Sequence, residues 1–212
     1  DEYVVRWNAM FASVAQQVRE RKLRADARPG GPLIQEPRQF GERGDEAKRS
    51  VKRAAAVSAP IDLAAAGDAL DRGLNRLFYT RHFLSTLKPK SLAKLERFPG
   101  LYDAEAVRAA RRFRDFDNTV TAPLHGFRDT DHYWSAASSG PWLERIRVPT
   151  LLLNARNDPF LPEPALLAAA RKAPPCVVLE FPRTGGHAGF VSGPFPGHHG
   201  WLAERLLNFL EQ

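Results

Sequence analysis

Three short apolar runs limit what this chain can fold into: residues 54–58 (Ala54-Ala55-Ala56-Val57-Ser58), 148–154 (Val148-Pro149-Thr150-Leu151-Leu152-Leu153-Asn154) and 176–181 (Cys176-Val177-Val178-Leu179-Glu180-Phe181). None alternates polar with apolar positions, and each is shorter than an ordinary helix. Such runs are expected of strands buried on both faces. Ala59-Pro60 closes the first. Residues 63–138 then follow a helical pattern, with breaks expected at Pro89, Pro99-Gly100 and Pro123. Further helices are expected over 163–172 and 201–210, the latter presenting Leu202, Leu206, Leu207 and Leu210 on one face. Strands alternating with helices imply an α/β fold with a parallel sheet, and residues 63–138 read as a helical insertion.

The 212 residues make one domain, or at most two small ones. Residues 7–25 fit an amphipathic helix through Trp7, Met10, Phe11, Val14 and Val18, packed on the domain rather than acting as a targeting helix. Residues 28–50, with Pro29, Gly30, Gly31, Pro32 and Pro37, read as irregular. The expected division is therefore 1–50, helix plus irregular segment, and 51–212, the α/β part. The chain starts at Asp1 rather than Met, so the expectation is that something upstream was removed or unrecorded.

Composition removes several classes. No apolar run approaches the ~18 residues of a membrane-spanning helix. Cys176 is the only cysteine; it excludes an internal disulfide framework, a cysteine zinc site or an iron–sulfur cluster on this chain alone, and suits a reducing, cytoplasmic setting. The net charge of +7 invites a nucleic-acid partner. The arginines are dispersed, however, and no RRM, KH, helix-turn-helix or zinc-finger pattern occurs, so no nucleic-acid role is expected.

In an open parallel sheet, reactive groups sit on loops just past the carboxyl ends of strands. The second run leads into Ala155-Arg156-Asn157-Asp158-Pro159-Phe160, and the third into Pro182-Arg183-Thr184-Gly185-Gly186-His187-Ala188-Gly189-Phe190. An Asp and a later His on adjacent loops fit the orienter and base of a nucleophilic triad. On spacing alone the alternative is equally open: Asp158 caps the turn through Pro159, and His187 is an ordinary loop histidine.

Resemblance adds to this reading. The stretches Ala54-Ala55-Ala56-Val57-Ser58-Ala59-Pro60-Ile61-Asp62-Leu63, Asn154-Ala155-Arg156-Asn157-Asp158-Pro159-Phe160 and Gly185-Gly186-His187-Ala188-Gly189-Phe190 occur in that order, joined by Phe98-Pro99-Gly100-Leu101-Tyr102-Asp103, Phe116-Asp117 and Thr121-Ala122-Pro123-Leu124-His125-Gly126-Phe127. Together they resemble the YheT-like branch of the α/β-hydrolases over roughly residues 41–210, four fifths of the chain. The resemblance implies a serine-dependent esterase-like hydrolase that acts on a small-molecule ester or acyl compound without a cofactor. Asp158 matches the acid and His187 the base. The nucleophile does not carry over. No G-x-S-x-G elbow occurs in residues 1–212, and the family's serine would fall near Gly30, where there is no hydroxyl. The loop that supplies an oxyanion donor is missing too.

Other candidates read as structural. Ser58, Ser135, Ser138, Ser139 and Ser192 read as cap or turn residues, and Cys176 as a small core residue. His125 and His132 either line the pocket from the insertion or are structural. His198-His199 on a glycine loop does not supply the converging ligands of a metal site, so no metal is expected. Without its usual neighbour, the first strand would present an unpaired edge and favour self-association. Two readings account for the missing elbow. One is a truncated or frame-disrupted hydrolase, for which the Arg, Ala, Pro and Gly abundance over 19–44 is suited. The other is a non-catalytic pseudo-hydrolase serving as a binding or interaction module. Both predict no efficient turnover.

Overall fold

The computed structural model describes residues 51–212. The helix expected over 7–25, the irregular segment over 28–50 and the position near Gly30 lie outside the described residues.

Strands β1 (Ala54–Val57), β2 (Thr150–Leu153) and β3 (Val177–Glu180) form a parallel sheet in that order. Ala54 stands opposite Thr150, and Thr150 opposite Val177. The central strand is buried at every position. Its side chains alternate between two cores, as the two-residue period of a strand requires. Leu152 points into a cluster with Ile61, Leu143, Leu161, Leu166 and Val177. Leu151 and Leu153 point the other way, into a cluster with Ala155, Phe190 and Phe209.

The outer strands correct the expectation of burial on both faces. Ala55 of β1 is exposed, and so are Val178 and Leu179 of β3. Among the described residues each of these strands has one hydrogen-bonded neighbour, so β1 and β3 are the outer strands of the described sheet. An apolar run reports that a strand is in a sheet; it does not report whether the strand is central.

The insertion between β1 and β2 runs through α1 (Leu63–Leu70), the single turn Gly73–Asn75, a wide π-turn segment Arg76–Thr80, α2 (Arg81–Arg97), α3 (Ala104–Ala109), α4 (Phe113–Phe116), a second π-turn segment Asp117–Thr121, the turn Ala122–Leu124 and α5 (Thr130–Ala137). Aspartates start three of these helices. Asp62, Asp103 and Asp129 each accept a hydrogen bond from an otherwise orphaned first-turn N–H, at 2.8–2.9 Å. Leu84, Val107, Ala110, Phe116 and Val120 form the insertion's own core. Gly67 lets α1 approach α5 closely, because a Cβ there would lie 2.3 Å from the Trp134 ring.

Two of the expected breaks are absent. Pro89 lies inside α2 without ending it. Pro89 and Ser85, one turn earlier, are both exposed, so the carbonyl that loses its N–H partner faces water. Pro123 sits within a helical turn; the wide turn ahead of it makes room for its ring, and the break comes at Gly126, where φ is +76°. Pro99-Gly100 does end α2.

A 3₁₀ turn, Gly140–Arg145, leads to β2; α6 (Glu163–Ala170) joins β2 to β3, and α7 (Gly200–Leu210) follows. The buried face of α7 also differs from expectation. Leu202, Leu206 and Phe209 pack on the sheet, whereas Leu207 and Leu210 are exposed. At 3.6 residues per turn, Leu207 lies about 140° around the helix from Leu202.

Candidate active site

The loops leaving β2 and β3 run side by side beyond the strands. The Asn154 N–H donates to the Glu180 carbonyl at 3.2 Å, and the Arg156 N–H to the Pro182 carbonyl at 2.9 Å. This extended pairing brings Asp158 to His187, and Asp158 Oδ2 lies 2.8 Å from His187 Nδ1. The carboxylate side chain is 1% exposed and the imidazole 15%. A buried carboxylate only accepts, so the proton of this bond sits on Nδ1, which leaves Nε2 as the ring's basic nitrogen.

Asp158 also does what the alternative reading required of it. Its Oδ1 accepts from the Phe160 N–H at 2.8 Å, closing the turn through Pro159. Turn cap and histidine partner are thus one residue using two oxygens.

His187 is held from several sides. The Asn157 Oδ1 accepts from the Gly186 N–H at 3.0 Å. The Ser58 hydroxyl, at the end of β1, donates to the His187 carbonyl. The Phe160 ring lies 4.6 Å from the imidazole. Tyr79 meets Phe160 edge-on at 4.8 Å, and Phe83 lies between Phe160 and Phe113, at 6.3 and 5.7 Å. An aromatic wall therefore extends from the imidazole into the insertion. Asn75 fixes that wall to the acid loop by donating to the Pro159 carbonyl at 2.7 Å. Behind His187, Gly185 faces Phe190 and Ala155 so closely that a Cβ would lie 2.7 Å from the ring of the first and 2.8 Å from the Cβ of the second.

The other sequence candidates take local roles. Ser138 donates to the Trp134 carbonyl at 2.6 Å and accepts from the Leu63 N–H at 2.9 Å, and Ser139 donates to the Pro60 carbonyl at 3.2 Å. Cys176 is half-buried against the first core, its thiol directed at the Ile146 carbonyl at 3.3 Å. His132 accepts from the Arg128 N–H and stands edge-on to Phe127. His125 is half-buried in the insertion, where burial, and then Lys94, hold its imidazole below the usual histidine range. His199 donates from Nδ1 to the Gly189 carbonyl, and His198 Nδ1 accepts from the Gly200 N–H. Among the described residues no three His, Cys, Asp or Glu side chains converge as metal ligands would.

Sequence reasoning missed Ser58 as a neighbour of His187, the Asn157 tether and the Phe160 contact. Asn157 and Phe160 flank Asp158 in sequence, which is a usable signal. For Ser58 there is none, since 129 residues separate it from His187. Asn154 was likewise unforeseen. It is fully buried at the end of β2, and neither its Nδ2 nor its Oδ1 has a hydrogen-bond partner among the described residues.

No protein-family model matches the chain. A curated relative, the putative esterase YheT of Escherichia coli (strain K12), is 34% identical over 162 residues, 76% of this chain and 47% of the relative. The chain belongs to the YheT-like branch of the α/β-hydrolases. Other similar α/β-hydrolase relatives are the mouse phospholipase ABHD3 (31% identical; 77% of this chain, 40% of the relative) and a monoacylglycerol lipase of Saccharomyces cerevisiae (30%; 81% and 38%). The chain thus spans less than half the length of the curated relatives it matches. A solved α/β fold family hydrolase from Bacillus anthracis str. Sterne aligns with 79% of this α/β-hydrolase chain and 60% of its own, at 16% identity and a TM-score of 0.41.

Proposed function

We propose that residues 51–212 are the acid- and base-bearing C-terminal part of an α/β-hydrolase domain, and that the reaction they serve is serine-dependent hydrolysis of a small-molecule carboxylic ester or related acyl compound. The 2.8 Å contact between buried Asp158 and His187 Nδ1 carries this reading. In such a reaction His187 Nε2 takes the proton of a serine hydroxyl as that oxygen attacks the acyl carbon, then returns it to the departing alcohol. Asp158 holds the imidazole in the required tautomer and stabilises the imidazolium. The relatives' names, esterase, phospholipase and monoacylglycerol lipase, support an ester substrate. The aromatic wall of Phe160, Tyr79 and Phe83 suits an apolar acyl group beside the base.

The sequence contains no G-x-S-x-G elbow to complete this pair. As written, the chain turns over no ester efficiently, because loss of a triad nucleophile costs on the order of 10⁶ in rate. The alternative is a non-catalytic pseudo-hydrolase that binds a partner. The edge of β1, which pairs on one side only among the described residues, supports self-association. The reading includes no cofactor, no metal, no nucleic-acid partner and a cytoplasmic location, the last on the strength of the single free thiol. Among the described residues, no helix is long and apolar enough to cross a membrane.

The test is hydrolysis of an unactivated butyrate ester by the chain alone, and by the chain co-expressed with a strand–elbow–helix segment carrying G-x-S-x-G. The chain alone stays at background, with or without His187→Ala. The complemented chain gains activity that His187→Ala removes. Activity of the chain alone that depends on His187 would overturn the proposed inactivity, and complemented activity indifferent to His187 would overturn the proposed base.

A further inference from the structure

Ser58 is one of two non-glycine residues in the described chain with a left-handed backbone, φ +49°; the other is Phe190. It follows β1 directly, and its N–H extends the ladder by donating to the Leu153 carbonyl at 2.8 Å. A serine gains nothing intrinsic from this conformation, which crowds Cβ against the following carbonyl. The conformation does direct the hydroxyl. The residue is 6% exposed, and its Oγ donates to the His187 backbone carbonyl, across the mouth of the central strand. The tethers on the histidine loop then come from two strands: Asn157 and Asp158 beyond β2, and Ser58 beyond β1.

We propose that Ser58 is a positioning residue for the base. Its hydroxyl anchors the main chain of His187 so that the imidazole meets Asp158 squarely and presents Nε2 to the acyl site. This rests on the reading of Asp158 and His187 as acid and base. Asp158 and the Phe160 ring hold the imidazole itself, whereas the direction of Nε2 also depends on how the loop's main chain is held. Beside the Asn157 tether at Gly186, an anchor on the His187 carbonyl restrains rotation of that main chain. The left-handed strain at Ser58 is the local cost of that anchor.

The proposal is testable without turnover, by proton and ¹⁵N NMR of the full 212-residue chain. The Nδ1 proton shared with Asp158 gives a far-downfield resonance, assigned by its disappearance in His187→Ala. Ser58→Ala removes only the hydroxyl and keeps the strained backbone; Ser58→Gly removes the whole hydroxymethyl side chain and takes up the left-handed backbone without strain. Both variants shift this resonance upfield and speed its exchange with water on the order of fivefold, as loss of one hydrogen bond predicts. If Ser58→Ala fails to fold, Ser58→Gly decides. Val107→Ala, buried in the insertion's core, lowers the melting temperature and leaves the resonance in place. An unchanged resonance in folded Ser58→Gly, or an equal change in Val107→Ala, overturns the positioning role while the Asp158–His187 pair stands. A wild-type chain without the resonance overturns the pair, and the positioning role with it.

Discussion

Asp117 is a carboxylate kept from water, and its burial makes the stability of the insertion depend on pH. It accepts hydrogen bonds from Trp134 Nε1 at 2.8 Å and from Thr121 Oγ1 at 2.6 Å. Burial outweighs both bonds and pushes its carboxyl up from 3.8 to about 6, with the nearby Asp71 adding to the rise. Between these values the folded chain binds a proton that the unfolded chain has released, so stability falls as pH rises through the window. At roughly 1.4 kcal/mol per pH unit, the full loss is about 3 kcal/mol. Asp117→Asn keeps an oxygen for the indole N–H and carries no charge. Urea unfolding from about pH 4 to about pH 7 gives the comparison: wild-type stability minus that of Asp117→Asn declines by about 2 kcal/mol over this range, most of it below pH 6. Asp71 is also pushed up by burial and couples to Asp117, so the comparison is repeated with Asp71→Asn in both proteins. A difference that stays flat over the range would refute the burial argument.

Other substitutions probe the site and its surroundings. Gly185→Ala drives a methyl into the Phe190 ring and the Ala155 Cβ, and lowers stability by roughly 1–3 kcal/mol in denaturant titrations. Asn154→Leu removes two buried polar atoms without a partner among the described residues, so its unfolding free energy is unchanged or higher by about 1 kcal/mol in the same assay. His125 acts in the opposite sense to Asp117: its imidazole is held low by burial, so stability is lost as pH falls through its folded-state value. His125→Gln removes that acid-side loss, as melting curves below about pH 6 will show.

The middle strand and both loops carrying Asp158 and His187 were legible in the sequence. An unbroken apolar run followed by a polar turn is strong evidence for a parallel strand, and β2, with a neighbour on each side, is buried throughout. The same signal overstated β1 and β3, whose exposure depends on what lies beside each strand and not on the run itself. Helix boundaries failed where a proline's effect depended on its surroundings, at Pro89 facing water and at Pro123 after a wide turn. On α7, grouping the leucines by type hid Phe209, which completes the buried stripe with Leu202 and Leu206. The pairing of Asp158 with His187 was proposed from loop order. The contact from Ser58 was beyond that logic, because a strained serine and a distant carbonyl leave no pattern along a chain.

Asp158 divides its two oxygens between its own turn and His187, and this has an evolutionary consequence. A substitution that releases the imidazole also opens the turn through Pro159, so selection on folding alone is enough to retain the carboxylate that faces His187, whatever selection acts on the histidine itself.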